Sequence, residues 1–112
     1  MTIFQSSAGN LVPYRQKLTT SMADVVSAIN GTRTIAKVRF TNITAGAITV
    51  DLEVYNGTTQ QPLYENYSIA ANSYHEFYDD ILPNQSKLRA SASANDSIWI
   101  HVLASLPNKP TG

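Results

Sequence analysis

The sequence predicts an all-β chain: an antiparallel β-sandwich or jelly roll of about seven to eight short strands with an N-terminal arm. Three observations carry this. From Thr32 onward apolar residues recur with period two, which alternates side chains across a strand. Turn residues interrupt these runs every ~8 to 12 residues, the spacing of sandwich strands. No helical pattern separates them, so helical-bundle and parallel α/β architectures fail. A chain of 112 residues is one domain, with enough surface hidden on folding to support a core without cross-links. The organisation expected is an N-terminal arm and first strand over 1–20, a β-sandwich over 21–107 and a C-terminal tail over 108–112.

Within the arm, Pro13 interrupts the apolar pair Leu11-Val12, and a first strand is expected over Tyr14 to Thr20. Ser21 to Asn30 is open between helix and strand. Met22, Val25, Val26 and Ile29 have helical spacing and Asn30-Gly31 would end a helix, whereas the β-branched Val25-Val26 pair favours a strand. On Thr32 to Asn42, Ala36, Val38 and Phe40 point one way and Arg33, Lys37 and Arg39 the other, with Ile35 an exception on the polar side. On Ala47 to Asn56, Ile48, Val50, Leu52 and Val54 share a face opposite Thr49, Asp51, Glu53 and Tyr55. Thr44-Ala45-Gly46 reads as a three-residue hairpin loop with Gly46 in the left-handed position. That hairpin would set Arg39 against Asp51 and Lys37 against Glu53.

Asn56-Gly57 is a turn, and Leu63 to Ile69 is a polar, tyrosine-bearing strand suited to a sheet edge. After the turn at Ala70-Ala71-Asn72-Ser73, Tyr74 to Tyr78 is a short strand, and Asp79 to Gln85 a wide turn. A last hairpin is expected between Leu88, Ala90, Ala92 and Ala94 and the face formed by Ile98, Ile100, Val102, Ala104 and Leu106, turning at Asn95-Asp96-Ser97. Trp99, His101 and Leu103 then fall on the other face. Either that strand is buried on both sides, or these three form an apolar patch that needs a cover.

Composition restricts function. Eight Lys and Arg balance eight Asp and Glu, so a general basic excess for nucleic acid or anionic membrane is missing. Charged residues are only 14% of the chain, against roughly 25% on average, which suits a surface covered by neighbours. With no cysteine there is no thiolate nucleophile, disulfide or Cys-ligated zinc. The first residues lack a basic region followed by an apolar one, so no secretory signal is expected, and the six Asn-x-Ser/Thr triplets read as turns. His75-Glu76-Phe77-Tyr78-Asp79 approaches a zinc motif, but positions four apart on a strand are separated by about 13 Å and cannot share an ion. Asp79-Asp80 with Asn84 lacks the spacing of a calcium loop. No nucleophile elbow, phosphate loop or dinucleotide fingerprint occurs. The expectation is no catalytic residue, no metal and no cofactor. Tyr55, Tyr64, Tyr67, Tyr74 and Tyr78 either line a glycan or peptide groove or are half-buried sheet residues.

The stretch Val38-Arg39-Phe40-Thr41-Asn42-Ile43-Thr44-Ala45-Gly46-Ala47-Ile48-Thr49-Val50, with Ile69-Ala70-Ala71-Asn72-Ser73 and Ile81-Leu82-Pro83-Asn84-Gln85-Ser86-Lys87-Leu88-Arg89-Ala90-Ser91-Ala92, resembles small β-sandwich structural proteins of tailed bacteriophages. These include capsid decoration (cement) proteins and related head, neck or fibre subunits. Such proteins often read Leu-x-x-Gly-Asp where Asn84-Gln85 stands here. The resemblance implies a non-enzymatic virion subunit, assembled in the host cytoplasm, that decorates a capsid and binds the major capsid protein or other virion proteins. A homo-oligomer is implied, without nucleic acid or membrane as partner. The interface residues expected are Trp99, His101 and Leu103 on the outer face and Phe4, Leu11 and Tyr14 in the arm. A neck or tail adaptor of the same virion, and a carbohydrate-binding module, are the alternatives.

Overall fold

The structure is a computed structural model in which residues 11–105 are described. Their strands are β1 (Leu11–Lys17), β2 (Ala23–Val26), β3 (Arg33–Asn42), β4 (Ile48–Tyr55), β5 (Gln60–Ile69), β6 (Tyr74–Leu82), β7 (Lys87–Ala92) and β8 (Ile98–Ser105). Ser21 to Asn30 therefore holds a strand, as its Val-Val pair favours. They form two antiparallel four-stranded sheets, ordered β1-β8-β3-β6 and β2-β7-β4-β5. The logic of this order is a single long hairpin. Its tip is β4-β5, its arms pair as β3-β6, β2-β7 and β1-β8, and the ribbon is rolled so that alternate pairs fall in opposite sheets. This is a jelly roll.

The rolling overturns both expected hairpins flanking the core. β3 and β4 lie in different sheets, as do β7 and β8, so Arg39 does not face Asp51 and Lys37 does not face Glu53. Arg39 and Lys37 lie opposite Glu76 and Tyr78 on β6, and Glu53 lies opposite Arg89 on β7. Alternation fixes which face a residue takes, but a tight turn and a crossover of similar length share the same residues. The loop after β3 crosses because Asn42 holds it. This side chain, 1% exposed, donates through Nδ2 to the carbonyls of Gly46 (2.8 Å) and Ile69 (3.0 Å), while its Oδ1 accepts from the Thr44 N–H at 2.9 Å. Gly46 is not left-handed; Gly57, in the β4-β5 hairpin, is, with φ 96°. The β6 strand also runs on to Leu82, past the wide turn expected from Asp79.

The face assignments hold except at the start of β3, where Arg33, expected outside, is buried and Ala36, expected inside, is only half-buried. Val38, Phe40, Val50, Leu52, Leu88, Ala90, Ile98, Ile100, Val102 and Ala104 all lie in the core between the sheets. Ile35 joins them because the β3-β8 ladder slips by one residue between Ile35 and Lys37, a β-bulge that turns Ile35 inward and leaves Lys37 outside. The polar strand β5 is indeed an edge.

Candidate interaction face

The outer face of the β1-β8-β3-β6 sheet is set by register. Opposed residues share a face about 4.8 Å apart, so three rows cross the sheet. Lys17, Trp99, Thr41 and Tyr74 form the first row; Arg15, His101, Arg39 and Glu76 the second; Pro13, Leu103, Lys37 and Tyr78 the third. The strand is thus buried on its core side only: Trp99, His101 and Leu103 are half-buried while Ile98, Ile100 and Val102 are covered. Tyr74 and Tyr78 are 57% and 58% exposed, unusual for rings of that size.

Rings and cations interlock on this face. The Lys17 Nζ sits 5.6 Å from the Trp99 ring, and the Arg39 guanidinium 4.2 Å from the ring of Tyr74. Trp99 meets His101 edge-on, with ring centroids 6.2 Å apart. Glu76 takes a charge contact from Arg39 Nε at 2.8 Å and a longer one from Lys37 at 3.9 Å. The Arg39 N–H is not directed at an acceptor, so the contact is an ion pair without a hydrogen bond. Tyr78 donates its hydroxyl to Glu76. That bond, helped by Arg39 and Lys37 against the effect of burial, lowers the Glu76 carboxyl below its ordinary 4.5. Burial first, then Arg15, Arg39 and Lys37, push His101 below its ordinary 6.5. Burial and these cations thus both favour the neutral imidazole. Shallow depressions of about 410 Å³ beside Trp99, His101, Arg15 and Arg39, and about 160 Å³ beside Leu103, Pro13 and Lys37, roughen the face.

Of the arm residues expected at an interface, Leu11 shares the outward parity of Pro13 and Arg15. Tyr14 faces the other way, against the core, where its hydroxyl accepts from the Arg33 guanidinium. Phe4 lies outside the described residues.

The tyrosines do not share one groove. Tyr74 and Tyr78 belong to this face, and Tyr55 lies under Arg89 on the opposite sheet at 4.1 Å. Tyr64 and Tyr67 close the rim between β5 and β6, where their hydroxyls reach the Nε2 (3.0 Å) and Nδ1 (3.3 Å) of His75. The sequence reading missed two polar residues that the fold buries, Asn42 and Arg33. Arg33 is 3% exposed and donates to the carbonyls of Ser105 (3.1 Å) and Ser27 (3.4 Å). Alternation set Arg33 on the polar side, and the bulge turns it inward with Ile35; Asn42 shares the inward parity of Phe40, but its polar side chain gave no sign of the loop carbonyls it would meet. No group of three or more His, Cys, Asp or Glu side chains converges as for a metal among the described residues.

No family model and no curated protein matches the chain. Solved structures do. A chain of the infectious bursal disease virus particle superposes with TM-score 0.55 at 10% identity, covering 87% of this chain and 31% of that one. A chain of the Gx strain of the same virus gives 0.54 at 12% identity, over 91% and 32%. A pentameric capsid protein isolated from metagenomic phage sequences gives 0.51 at 12% identity, over 94% and 74%. The likeness is one of fold. The chain spans about a third of the length of the bursal disease virus chains and three quarters of the phage protein. Viral capsid proteins thus use the same jelly-roll sandwich.

Proposed function

We propose that this chain is a non-enzymatic virion structural subunit, a capsid decoration (cement) protein of a bacteriophage that joins neighbouring virion proteins. The observation that carries the reading is the outer face of β1-β8-β3-β6. It combines exposed tyrosines, Trp99, His101 and Leu103 with four cations on one sheet face, in a fold that viral shells use. A jelly roll buries one side of each sheet in its own core, and an aromatic-rich outer side favours protein over water. Both histidines have structural surroundings instead of a nucleophile: His75 lies between two tyrosines and His101 beside Trp99. The carbohydrate-module reading loses support because the tyrosines are split among three places. The test is labelling of purified particles of the phage whose genome carries the sequence. Regular label over the head supports decoration; label at the neck or tail makes it an adaptor; unlabelled particles overturn the virion reading.

A further inference from the structure

We infer that the neighbour seated on the basic face is a second copy of this chain presenting its own opposite, acidic face, so that copies associate head to tail. The inference rests on reading the basic face as a protein contact, and it names the partner.

The chain sums to zero charge, yet the charge is sorted between its two outer faces. Among the described side chains, the β1-β8-β3-β6 face carries Arg15, Lys17, Lys37 and Arg39 against Glu76, with Asp80 farther along β6 opposite the buried Ile35. On the β2-β7-β4-β5 sheet, Asp24, Asp51, Glu53 and Glu65 outnumber Lys87 and Arg89. Local pairing then leaves opposite remainders. On the acidic face Arg89 is consumed by the buried Glu53, and Lys87 by Asp24 at 3.1 Å. Asp51 has only neutral partners, the Asn66 N–H at 2.7 Å and the Ser91 hydroxyl, and the exposed Glu65 lies beside it along a cleft of about 390 Å³. On the basic face Glu76 takes Arg39 and Lys37, while Arg15 and Lys17 have no carboxylate among the described ion pairs. The remainders are therefore Arg15 and Lys17 on one face and Asp51 and Glu65 on the other.

A second copy fits better than an unrelated acidic protein because the complement is already built into the same chain. Zero net charge also removes the long-range repulsion that opposes the accumulation of like copies. The acidic cleft has apolar walls at Met22 and Pro62, a seat for one of the exposed rings of the basic face. Opposite faces meeting make a heterologous contact, which closes into a ring or continues as a stack according to the angle between the faces.

The experiment is light scattering on the purified chain at low salt and at about 1 M salt, where the Debye length falls to about 3 Å. Assembly larger than a monomer is expected at low salt, with association weakened at least tenfold at high salt. The double variants Arg15→Glu/Lys17→Glu and Asp51→Lys/Glu65→Lys should each be monomeric, and mixing them should restore association, because each retains the native face the other has lost. Glu65→Lys alone, at an exposed site, covers the case in which the Asp51 change harms folding. Thermal melts confirm that each variant folds. A wild type that stays monomeric at low salt overturns the inference. So does assembly insensitive to salt and to both variants, an outcome that leaves the virion reading to the particle labelling. Binding of a single-stranded oligothymidylate by a monomeric wild type would instead assign the basic face to a polyanion.

Discussion

At the scale of single residues, buried polar groups do more to fix this fold than surface ion pairs. Asn42 ties two loops together through both ends of its amide, and Asn42→Ala would strand the carbonyls of Gly46 and Ile69 and the Thr44 N–H. A loss of about 2 to 3 kcal/mol is expected in chemical denaturation, with an unchanged all-β circular dichroism spectrum. The ionisable residues act more weakly and through pH. His101 is held below its ordinary 6.5 by burial and neighbouring cations, so the unfolded chain binds the extra proton and stability declines as pH falls below about 6.5. Glu76 is also lowered, mainly by the Tyr78 hydroxyl, so its contribution is complete above its ordinary 4.5 and is lost as pH falls through the lower folded value. Denaturation midpoints measured against pH should show two small steps on the acid side. His101→Asn should remove the upper step and Glu76→Gln the lower; a profile unchanged by either variant would refute the assignment.

At the scale of elements, most strands from Thr32 onward were legible in the sequence and their partners were not. The first strand runs Leu11–Lys17 instead of Tyr14 to Thr20, β2 was open between helix and strand, and β6 continues through the expected turn. Period two identified the inward residues of β4, β7 and β8 and the edge character of β5, because alternation is a local property of a strand. Pairing is not local. Thr44-Ala45-Gly46 satisfies the grammar of a hairpin, and the decision for a crossover comes from Asn42 reaching the carbonyls of Ile69 and Ala70 at the far end of β5. The outward set of Trp99, His101 and Leu103 followed from the same alternation, but the cations joining it from β1 and β3 became visible only with the register. Two glycines test this account. Gly46 has no left-handed angle and open space where a Cβ would stand, so Gly46→Ala should be close to neutral. Gly57 has φ 96°, and Gly57→Ala should cost about 1 kcal/mol despite equal space. If Gly46→Ala proved the more damaging, the loop after β3 would have to be the tight hairpin and the rolled topology would be wrong.

At the scale of the whole molecule, Trp99 separates a residue that builds the sandwich from one that serves an interface. Its strand neighbours Ile98 and Ile100 are fully buried in the core, whereas the Trp99 ring lies on the outer face beneath Lys17 and edge-on to His101. In the isolated chain, Trp99→Ala removes ring contacts only on that surface and opens no internal cavity. Monomer melting should therefore shift by no more than a few degrees, whereas Ile100→Ala, which does open one, should cost about 2 to 5 kcal/mol. In the assembled state a half-buried tryptophan between cations is the kind of anchor that dominates association, and its truncation should weaken assembly by about 2 kcal/mol or more. The two readings part in a paired measurement of melting temperature and oligomer mass on the same samples. Loss of mass with melting retained places Trp99 at a contact between subunits. Loss of melting places it in the core and removes the outer face from the proposed function.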